Sequence, residues 1–139
     1  MTMNEHANTN TGPLAGVRVL DLSRVLAAPS CTQILGDLGA DIIKVERPET
    51  GDEIRGWWPP FLKDTDGNDT SESGYYLSTG RNKRSVTIDM AKPEGVALIK
   101  QLLVTSDVLV ENFKVGSLAK FGLDYESIRA EFPNVVYCS

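Results

Sequence analysis

Four short stretches of the chain combine charged or polar side chains with apolar ones, and each follows a hydrophobic run typical of a β-strand. They are residues 23–27, 46–47, 89–92 and 111–114. Because the carboxyl ends of parallel strands meet at one edge of a sheet, these stretches could together bind one ligand. Their mixture of basic and apolar groups suits a ligand with both phosphates and an apolar arm. Taken singly, Arg47, Lys92 and Lys114 are explained more readily as solvated loop charges.

A dinucleotide is the obvious competing ligand for such a sheet edge. Glu46, at the end of a predicted strand, is well placed in the sequence to bind a ribose hydroxyl. The preceding strand-to-helix turn, residues 20–30 (LDLSRVLAAPS), contains no glycine, however. Without the glycines of the G-x-G-x-x-G motif, the backbone cannot approach a pyrophosphate closely. The sequence therefore argues against NAD binding.

Three further features could carry chemistry. Residues 81–84 (RNKR) hold three positive charges that could neutralise a phosphate, although a solubilising turn is the simpler interpretation. The two cysteines, Cys31 and Cys138, form no CxxC pair, and the single histidine, His6, lies in a polar leader. We therefore expect no zinc site and no cysteine nucleophile, and we expect both cysteines to be packing residues.

The hydrophobic pattern indicates the elements that position these groups. It predicts strands at residues 17–22, 41–46, 84–90, 107–111 and 134–138, and helices at 28–38, 93–103, 115–121 and 124–131. This alternation predicts an α/β fold with a Rossmann-like, mostly parallel sheet and flanking helices. Residues 49–78 are expected to form a long irregular excursion, in which residues 64–73 are mobile and residues 57–60 (WWPP) pack against an apolar surface.

Composition narrows the class of protein. The 139 residues are 41% hydrophobic and 24% charged, which is ordinary for one globular domain, and the net charge of -5 argues against a nucleic-acid partner. No stretch approaches the roughly 20 apolar residues of a membrane span. We therefore expect a cytoplasmic protein with a disordered leader at residues 1–11 and one domain at residues 12–139. The last predicted strand has no helix after it to cover the sheet, which we interpret as a sign of truncation.

A series of short motifs runs through the chain. They are residues 13–29 (PLAGVRVLDLSRVLAAP), 38–48 (LGADIIKVERP), 51–52 (GD), 82–85 (NKRS), 88–90 (IDM), 93–95 (PEG), 107–113 (DVLVENF) and 121–125 (FGLDY). In this order and register the chain resembles the opening of family III CoA-transferases. That family includes formyl-CoA and carnitine CoA-transferases and the α-methylacyl-CoA racemases. Residues 56–61 (GWWPPF) and 136–139 (VYCS) look most similar to members acting on dicarboxylic acids.

The resemblance implies a coenzyme A site at the strand ends named above. The implied contacts with the pantetheine thiol end are Leu26 and Ala27, and Arg47 would meet the phosphates or the adenine. The implied adenine and ribose wall is Ile88, Asp89, Met90 and Ala91, and the implied pantetheine and phosphate contacts are Asn112, Phe113, Lys114 and Lys120. The chain departs from the family twice: Ala91 stands where a lysine is frequent, and Lys120 replaces an arginine, which removes the bidentate fork.

The implied activity is transfer of CoA between an acyl-CoA and a carboxylic acid, dicarboxylic acids included, through a covalent aspartyl intermediate. The implied cofactor is coenzyme A or acyl-CoA, bound as substrate, with no metal. The family's catalytic aspartate would follow Ser139, so we name no catalytic residue and expect the chain to be inactive alone. An acyl-CoA racemase or isomerase of the same superfamily and a non-catalytic CoA-binding fragment remain alternatives.

Family members form interlocked dimers. The resemblance therefore implies that this chain is the truncated N-terminal part of a larger interlocked-dimer fold, and that the full-length form is a homodimer. Its implied partners are the acyl-CoA and carboxylic acid substrates, without a nucleic acid or a membrane.

Overall fold

The structure is a computed structural model that describes residues 11–139. The expected leader, with His6, lies outside the described residues except for Thr11. The strands are β1 (Arg18–Asp21), β2 (Asp41–Glu46), β3 (Phe61–Lys63), β4 (Asp69–Ser73), β5 (Lys83–Thr87), β6 (Val108–Val110) and β7 (Val136–Cys138). The α-helices are α1 (Ala27–Asp37), α2 (Gly74–Gly80), α3 (Pro93–Leu103) and α4 (Tyr125–Glu131), and short 3-10 helices occupy Glu53–Gly56 and Ala119–Phe121.

Five of the strands form one sheet in the order β5-β2-β1-β6-β7. Every neighbouring pair in this sheet is parallel; for example, Val19 of β1 lies opposite Ile42 of β2 and Val108 of β6. The α/β fold with a mostly parallel sheet is therefore confirmed. Because all five strands run the same way, the segments that leave β1, β2, β5 and β6 emerge at one edge, as the argument from strand ends requires.

Each face of the sheet has its own apolar core, because successive side chains of a strand point to opposite faces. Leu20 and Leu109 are fully buried on one face, in a cluster with Ile99 and Leu103 of α3. On the other face, the smaller cluster around Val19, Ala40, Ile42 and Val110 packs against Ala28 and Leu35 of α1. Helices therefore cover both faces, as a parallel sheet requires.

The expectation of a long irregular excursion at residues 49–78 is wrong. This stretch holds an antiparallel hairpin of β3 and β4, followed by α2. The local signals are polar ones: the Asp64 carboxylate accepts hydrogen bonds from the backbone N–H groups of Asp66 and Asn68, and the Ser73 hydroxyl accepts one from the N–H of Tyr76 at the start of α2. Such side-chain bonds shape turns and helix starts without any hydrophobic periodicity.

Two expectations about packing are also wrong. The tryptophan pair was expected to pack against an apolar surface, but Trp58 is 73% exposed and Trp57 is 38% exposed. Cys31 and Cys138 were expected to be packing residues, but both are exposed. Cys31 lies on the outer side of α1, and Cys138 ends the edge strand β7, so neither position faces a core.

Smaller differences concern the ends of elements. The strand predicted at residues 84–90 ends at Thr87, so the next residues form a loop. The helix predicted at residues 115–121 is a single 3-10 turn, closed by Gly122 at φ 62°. Asp124 occupies the N-cap position of α4, as predicted, but its carboxylate accepts a bond from the Ser127 hydroxyl instead of a backbone N–H.

Candidate functional site

A cavity of about 520 Å³ opens at the carboxyl edge of the sheet. Its apolar lining comes from strand ends and from the loop after β6, and the residues include Leu22, Val45, Ile88, Met90, Phe113 and Phe121. Charged side chains complete the lining, among them Arg24, Arg47, Glu49, Asp89 and Lys92. An apolar lining with a few charged groups is typical of a pocket for a small organic ligand that carries charge.

The cavity brings together six of the eleven residues named from the sequence, which are Arg47, Ile88, Asp89, Met90, Ala91 and Phe113. The other five do not line this cavity: Leu26, Ala27, Asn112, Lys114 and Lys120. Of these, Lys114 lines a second cavity of about 410 Å³ near β7. The Nζ of Lys120 lies 4.7 Å from the ring centroid of Phe121, at the border of the first cavity. The binding role of all eleven stays a prediction.

The loop after β5 forms one wall of the cavity and is held at both ends. The N–H of Ile88 donates to the Glu46 carbonyl, which continues the pairing of β5 with β2 by one residue. The Asp89 carboxylate accepts the N–H of Ala91 at 3.0 Å. Gly95 of α3 packs directly against the Asp89 carbonyl, where a side chain would not fit. The position of this wall therefore depends on contacts with Glu46 and Gly95, which the sequence of the loop itself does not indicate.

The segment after β1 is strained and clamped. Val25 has φ 67°, which is costly for a β-branched residue. Its N–H donates to both carboxylate oxygens of Asp52, at 3.1 and 3.2 Å. Lys44 pairs with Asp52 at 3.0 Å and also donates to the Ser23 carbonyl at 2.8 Å. Because both side chains of this pair are almost fully buried, the pair fixes the segment that leads into α1.

A second clamp joins the segment to the loop after β6. The N–H of Arg24 donates to the Asn112 amide oxygen at 2.8 Å, and the Asn112 amide nitrogen donates back to the Arg24 carbonyl at 2.8 Å. This reciprocal pair uses one side-chain donor and one side-chain acceptor of Asn112. The amide therefore supports the shape of the site, whatever else it contacts. Sequence reasoning named Asn112 only as a ligand contact.

Glu46 is engaged in a buried network beside the cavity. Its carboxylate accepts bonds from Arg55 at 2.8 and 2.9 Å, Ser85 at 2.7 Å and the N–H of Asp52 at 2.9 Å. Burial works to raise the pKa of Glu46, but these hydrogen bonds outweigh it and hold the pKa at about 2. Burial and the nearby Glu46 carboxylate raise the pKa of Tyr76 to about 12. Both carboxylate oxygens of Glu46 are therefore engaged by protein groups.

The basic run at residues 81–84 lies away from the cavity. Lys83 begins β5 opposite Ile42, near the amino end of the sheet. Arg81 pairs with Asp37 at 2.8 Å, and Arg84 pairs with Asp41 at 2.6 Å. Lys83 is buried and reaches Asp21 at 3.2 Å. All three basic side chains of this run thus have carboxylate partners, and the buried side chain of Lys83 differs from the solubilising turn that the sequence suggested.

Two aspartates in or beside the strands, Asp21 and Asp107, also have partners within the fold. The Asp21 side chain is fully buried, and its carboxylate accepts bonds from Ser23, Thr32 and Lys83. Asp107 accepts the N–H of Arg18 at the amino end of the sheet. These contacts give both carboxylates structural roles.

Residues 11–139 contain neither a candidate metal-binding cluster nor a candidate membrane-spanning helix. Over that range, no group of three or more His, Cys, Asp or Glu side chains is arranged to hold a metal ion. No helix described by the structure is long and apolar enough to cross a membrane.

Known proteins are similar in sequence to most of this chain. The sequence profile of CoA-transferase family III matches residues 14–139. A succinate–glutarate CoA-transferase of Agrobacterium fabrum is 54% identical over 127 residues, which are 91% of this chain and 32% of that protein. A succinyl-CoA:glutarate CoA-transferase of Homo sapiens is 50% identical over 130 residues, which are 94% of this chain and 28% of that protein.

A solved structure shares the fold as well as the sequence. The crystal structure of a CAIB/BAIF family protein from Brucella suis superposes with a TM-score of 0.84 at 48% identity. The superposition covers 94% of this chain and 33% of that one. The chain thus spans about a third of the length of the relatives that it matches.

Proposed function

Since the chain belongs to CoA-transferase family III, we propose that it forms the CoA-binding part of a CoA-transferase. Its ligand is coenzyme A or an acyl-CoA, and the reaction moves CoA between an acyl-CoA and a carboxylic acid. The names of two relatives, succinate–glutarate and succinyl-CoA:glutarate CoA-transferase, support dicarboxylic acids as substrates. They also favour transfer over racemisation. We place residues 12–139 in one CoA-binding unit.

The observation that carries the proposal is the cavity at the carboxyl edge of the sheet. CoA combines an anionic nucleotide with a long, largely uncharged pantetheine arm. Apolar side chains such as Val45, Ile88 and Met90 suit the uncharged parts, and the guanidinium group of Arg47 suits phosphate oxygens. Leu26, Ala27, Asn112, Lys114 and Lys120 belong to the proposed site as well, with the roles that the family resemblance assigns.

The proposed chemistry is covalent catalysis by an aspartate that lies after Ser139 in the family. Its carboxylate oxygen attacks the thioester carbonyl, the C–S bond breaks, and the CoA thiolate leaves as a mixed anhydride forms. The thiolate then attacks the aspartyl carbonyl, which releases the donor acid and leaves an aspartyl-CoA thioester. The acceptor carboxylate next attacks the carbonyl of the aspartyl-CoA thioester and expels the thiolate, which gives a second anhydride. The thiolate then attacks the acceptor's carbonyl in that anhydride, which forms the new acyl-CoA and releases the aspartate carboxylate. The described residues contribute by holding CoA.

We further propose that the protein is cytoplasmic and acts as a homodimer, in keeping with the family's interlocked dimers. The large exposed side chains Trp58, Leu62 and Leu77 lie on or beside the β3–β4 hairpin and α2. Their exposure is compatible with burial in a larger assembly, although it identifies no partner.

The proposal is tested by calorimetric titration of the purified chain with CoA. We expect saturable binding, and we expect Arg47→Ala to weaken it by about tenfold or more, because a hydrogen bond to a charged group contributes about 1.5–3 kcal/mol. Arg81→Ala is the matched control: Arg81 is 56% exposed against 54% for Arg47, but it lies near the amino end of the sheet. No saturable binding, or an equal loss in both variants, would contradict the proposed site.

A further inference from the structure

Two arginines beside the cavity share one carboxylate oxygen. Arg24 follows β1, Arg47 follows β2, and Glu53 begins the 3-10 helix after them. Oε1 of Glu53 accepts from the Arg24 guanidinium at 3.1 Å and from the Arg47 guanidinium at 3.2 Å. Arg24 and Arg47 belong to segments 23 residues apart, so this arrangement exists only in the folded chain. The single carboxylate of Glu53 therefore keeps the two guanidinium groups close to each other.

Arg24 is positioned by more than this ion pair. Its guanidinium lies 4.5 Å from the ring centroid of Phe113, within the range of a cation–π contact. Its backbone is fixed by the reciprocal bonds with Asn112 described above. Both Arg24 and Phe113 line the cavity. An arginine held in this way loses less conformational freedom when it binds an anion than a free surface arginine would.

The shared ion pair is open to exchange. The side chains of Arg24, Arg47 and Glu53 are 33%, 54% and 46% exposed, and ion pairs at such exposure contribute little to stability. A phosphate or diphosphate group offers more oxygens and more negative charge than one carboxylate. Each guanidinium could then form a two-pronged contact in place of its single bond to Glu53.

We propose that Arg24 is a second anion-binding residue beside Arg47, and that Glu53 is an internal counter-ion that a diphosphate group displaces from both arginines. If the diphosphate is that of CoA, this inference deepens the proposed function and rests on it. The site itself consists of two guanidinium groups, which bind the diphosphate group and not the rest of the CoA molecule. A free diphosphate therefore tests it separately from CoA.

The experiment titrates inorganic pyrophosphate and, separately, CoA into the wild-type chain and into Glu53→Gln at low ionic strength. We expect Glu53→Gln to bind pyrophosphate roughly three- to tenfold more tightly, because two weak surface ion pairs no longer compete. Adding Arg24→Gln to that variant should remove most of the gain, because only Arg47 then remains to use the released charge. Glu126→Gln removes the same charge from the exposed surface of α4 and should leave pyrophosphate affinity unchanged.

The outcomes separate the two proposals. A pyrophosphate gain that depends on Arg24, together with CoA binding, supports both. The same gain without any CoA binding supports the anion site and contradicts the CoA-binding function. If Glu53→Gln behaves like Glu126→Gln, if Arg24→Gln leaves the gain intact, or if no variant binds pyrophosphate, the anion site is refuted, even when CoA binds.

Discussion

The contact between Gly95 and the Asp89 carbonyl leads to a prediction whose sign opposes helix propensity. A methyl group on Gly95 would lie 1.9 Å from the carbonyl oxygen of Asp89 and 2.6 Å from its carbon. Carbon and oxygen atoms in close non-bonded contact stay roughly 3.3 Å apart, so the loop would have to move by about 1 Å or more. The Asp89 carbonyl also accepts the N–H of Lys92 at 3.1 Å, which limits such a movement.

The magnitude follows from two opposing terms. Replacing glycine by alanine within a helix stabilises it by about 1 kcal/mol, whereas forcing an extra methyl group into a packed site costs about 1–3 kcal/mol and occasionally more. A 1.9 Å approach to backbone lies at the severe end of that range. We therefore expect Gly95→Ala to lower the free energy of unfolding by about 2 kcal/mol. It should also weaken CoA binding, because Asp89 and its neighbours form a wall of the cavity.

Urea denaturation followed by circular dichroism measures the first effect, and calorimetry measures the second. Gly56→Ala is the matched control, since a Cβ at Gly56 meets no atom within 4 Å and its φ is not positive. That control should change the free energy of unfolding by less than about 0.5 kcal/mol. If Gly95→Ala is as stable as the wild type or more stable, the loop is not held by this contact and the reasoning is wrong.

Two further predictions concern buried charges. Asp52→Ala should lower the free energy of unfolding by roughly 3–5 kcal/mol, because it leaves the buried Lys44 ammonium group without its carboxylate partner. Lys63→Ala, which breaks an exposed ion pair, should cost at most about 1 kcal/mol in the same urea titration, and equal losses would contradict this. The depressed pKa of Glu46 contributes about 3 kcal/mol to the free energy of unfolding. This contribution is present above the ordinary pKa of 4.5 and is lost as the pH falls toward 2. In urea titrations across that pH window, Glu46→Gln should show a shallower acid decline than the wild type; an unchanged slope would refute it.

Much of the fold could be predicted from local pattern. The β-branched runs that became β1, β2 and β6 have apolar residues on both sheet faces, as buried parallel strands do. The helices α1 and α3 show apolar residues at helical spacing, and Pro93 marks the start of α3. The β3–β4 hairpin and α2 were missed because they are short and rest on polar contacts. Two of these contacts join Arg55 to Glu72 and to Tyr76, which are 17 and 21 residues away in sequence.

The candidate site was predictable to a similar extent. Parallel strands place their carboxyl ends at one edge, so Arg47, Ile88 and Phe113 could be assigned to one region before their order was known. The supporting residues could not be found in this way. Asp52 and Gly95 lie in short motifs that the family resemblance picked out, but nothing local to either shows what it contacts. The predictions for the two cysteines and Trp58 were wrong because they rested on residue type. Residue type alone does not tell which side of an element faces a core.

Local sequence pattern was enough to predict the α/β class, the approximate order of strands and helices along the chain, and the composition of the strand ends. These properties depend on residues a few positions apart, whose spacing sets the secondary structure. The sheet order, the exposure of the tryptophan pair and the sharing of Glu53 by Arg24 and Arg47 became visible only in the folded domain. Such contacts join segments distant in sequence, and their geometry is set by packing of the whole domain, which no local spacing records.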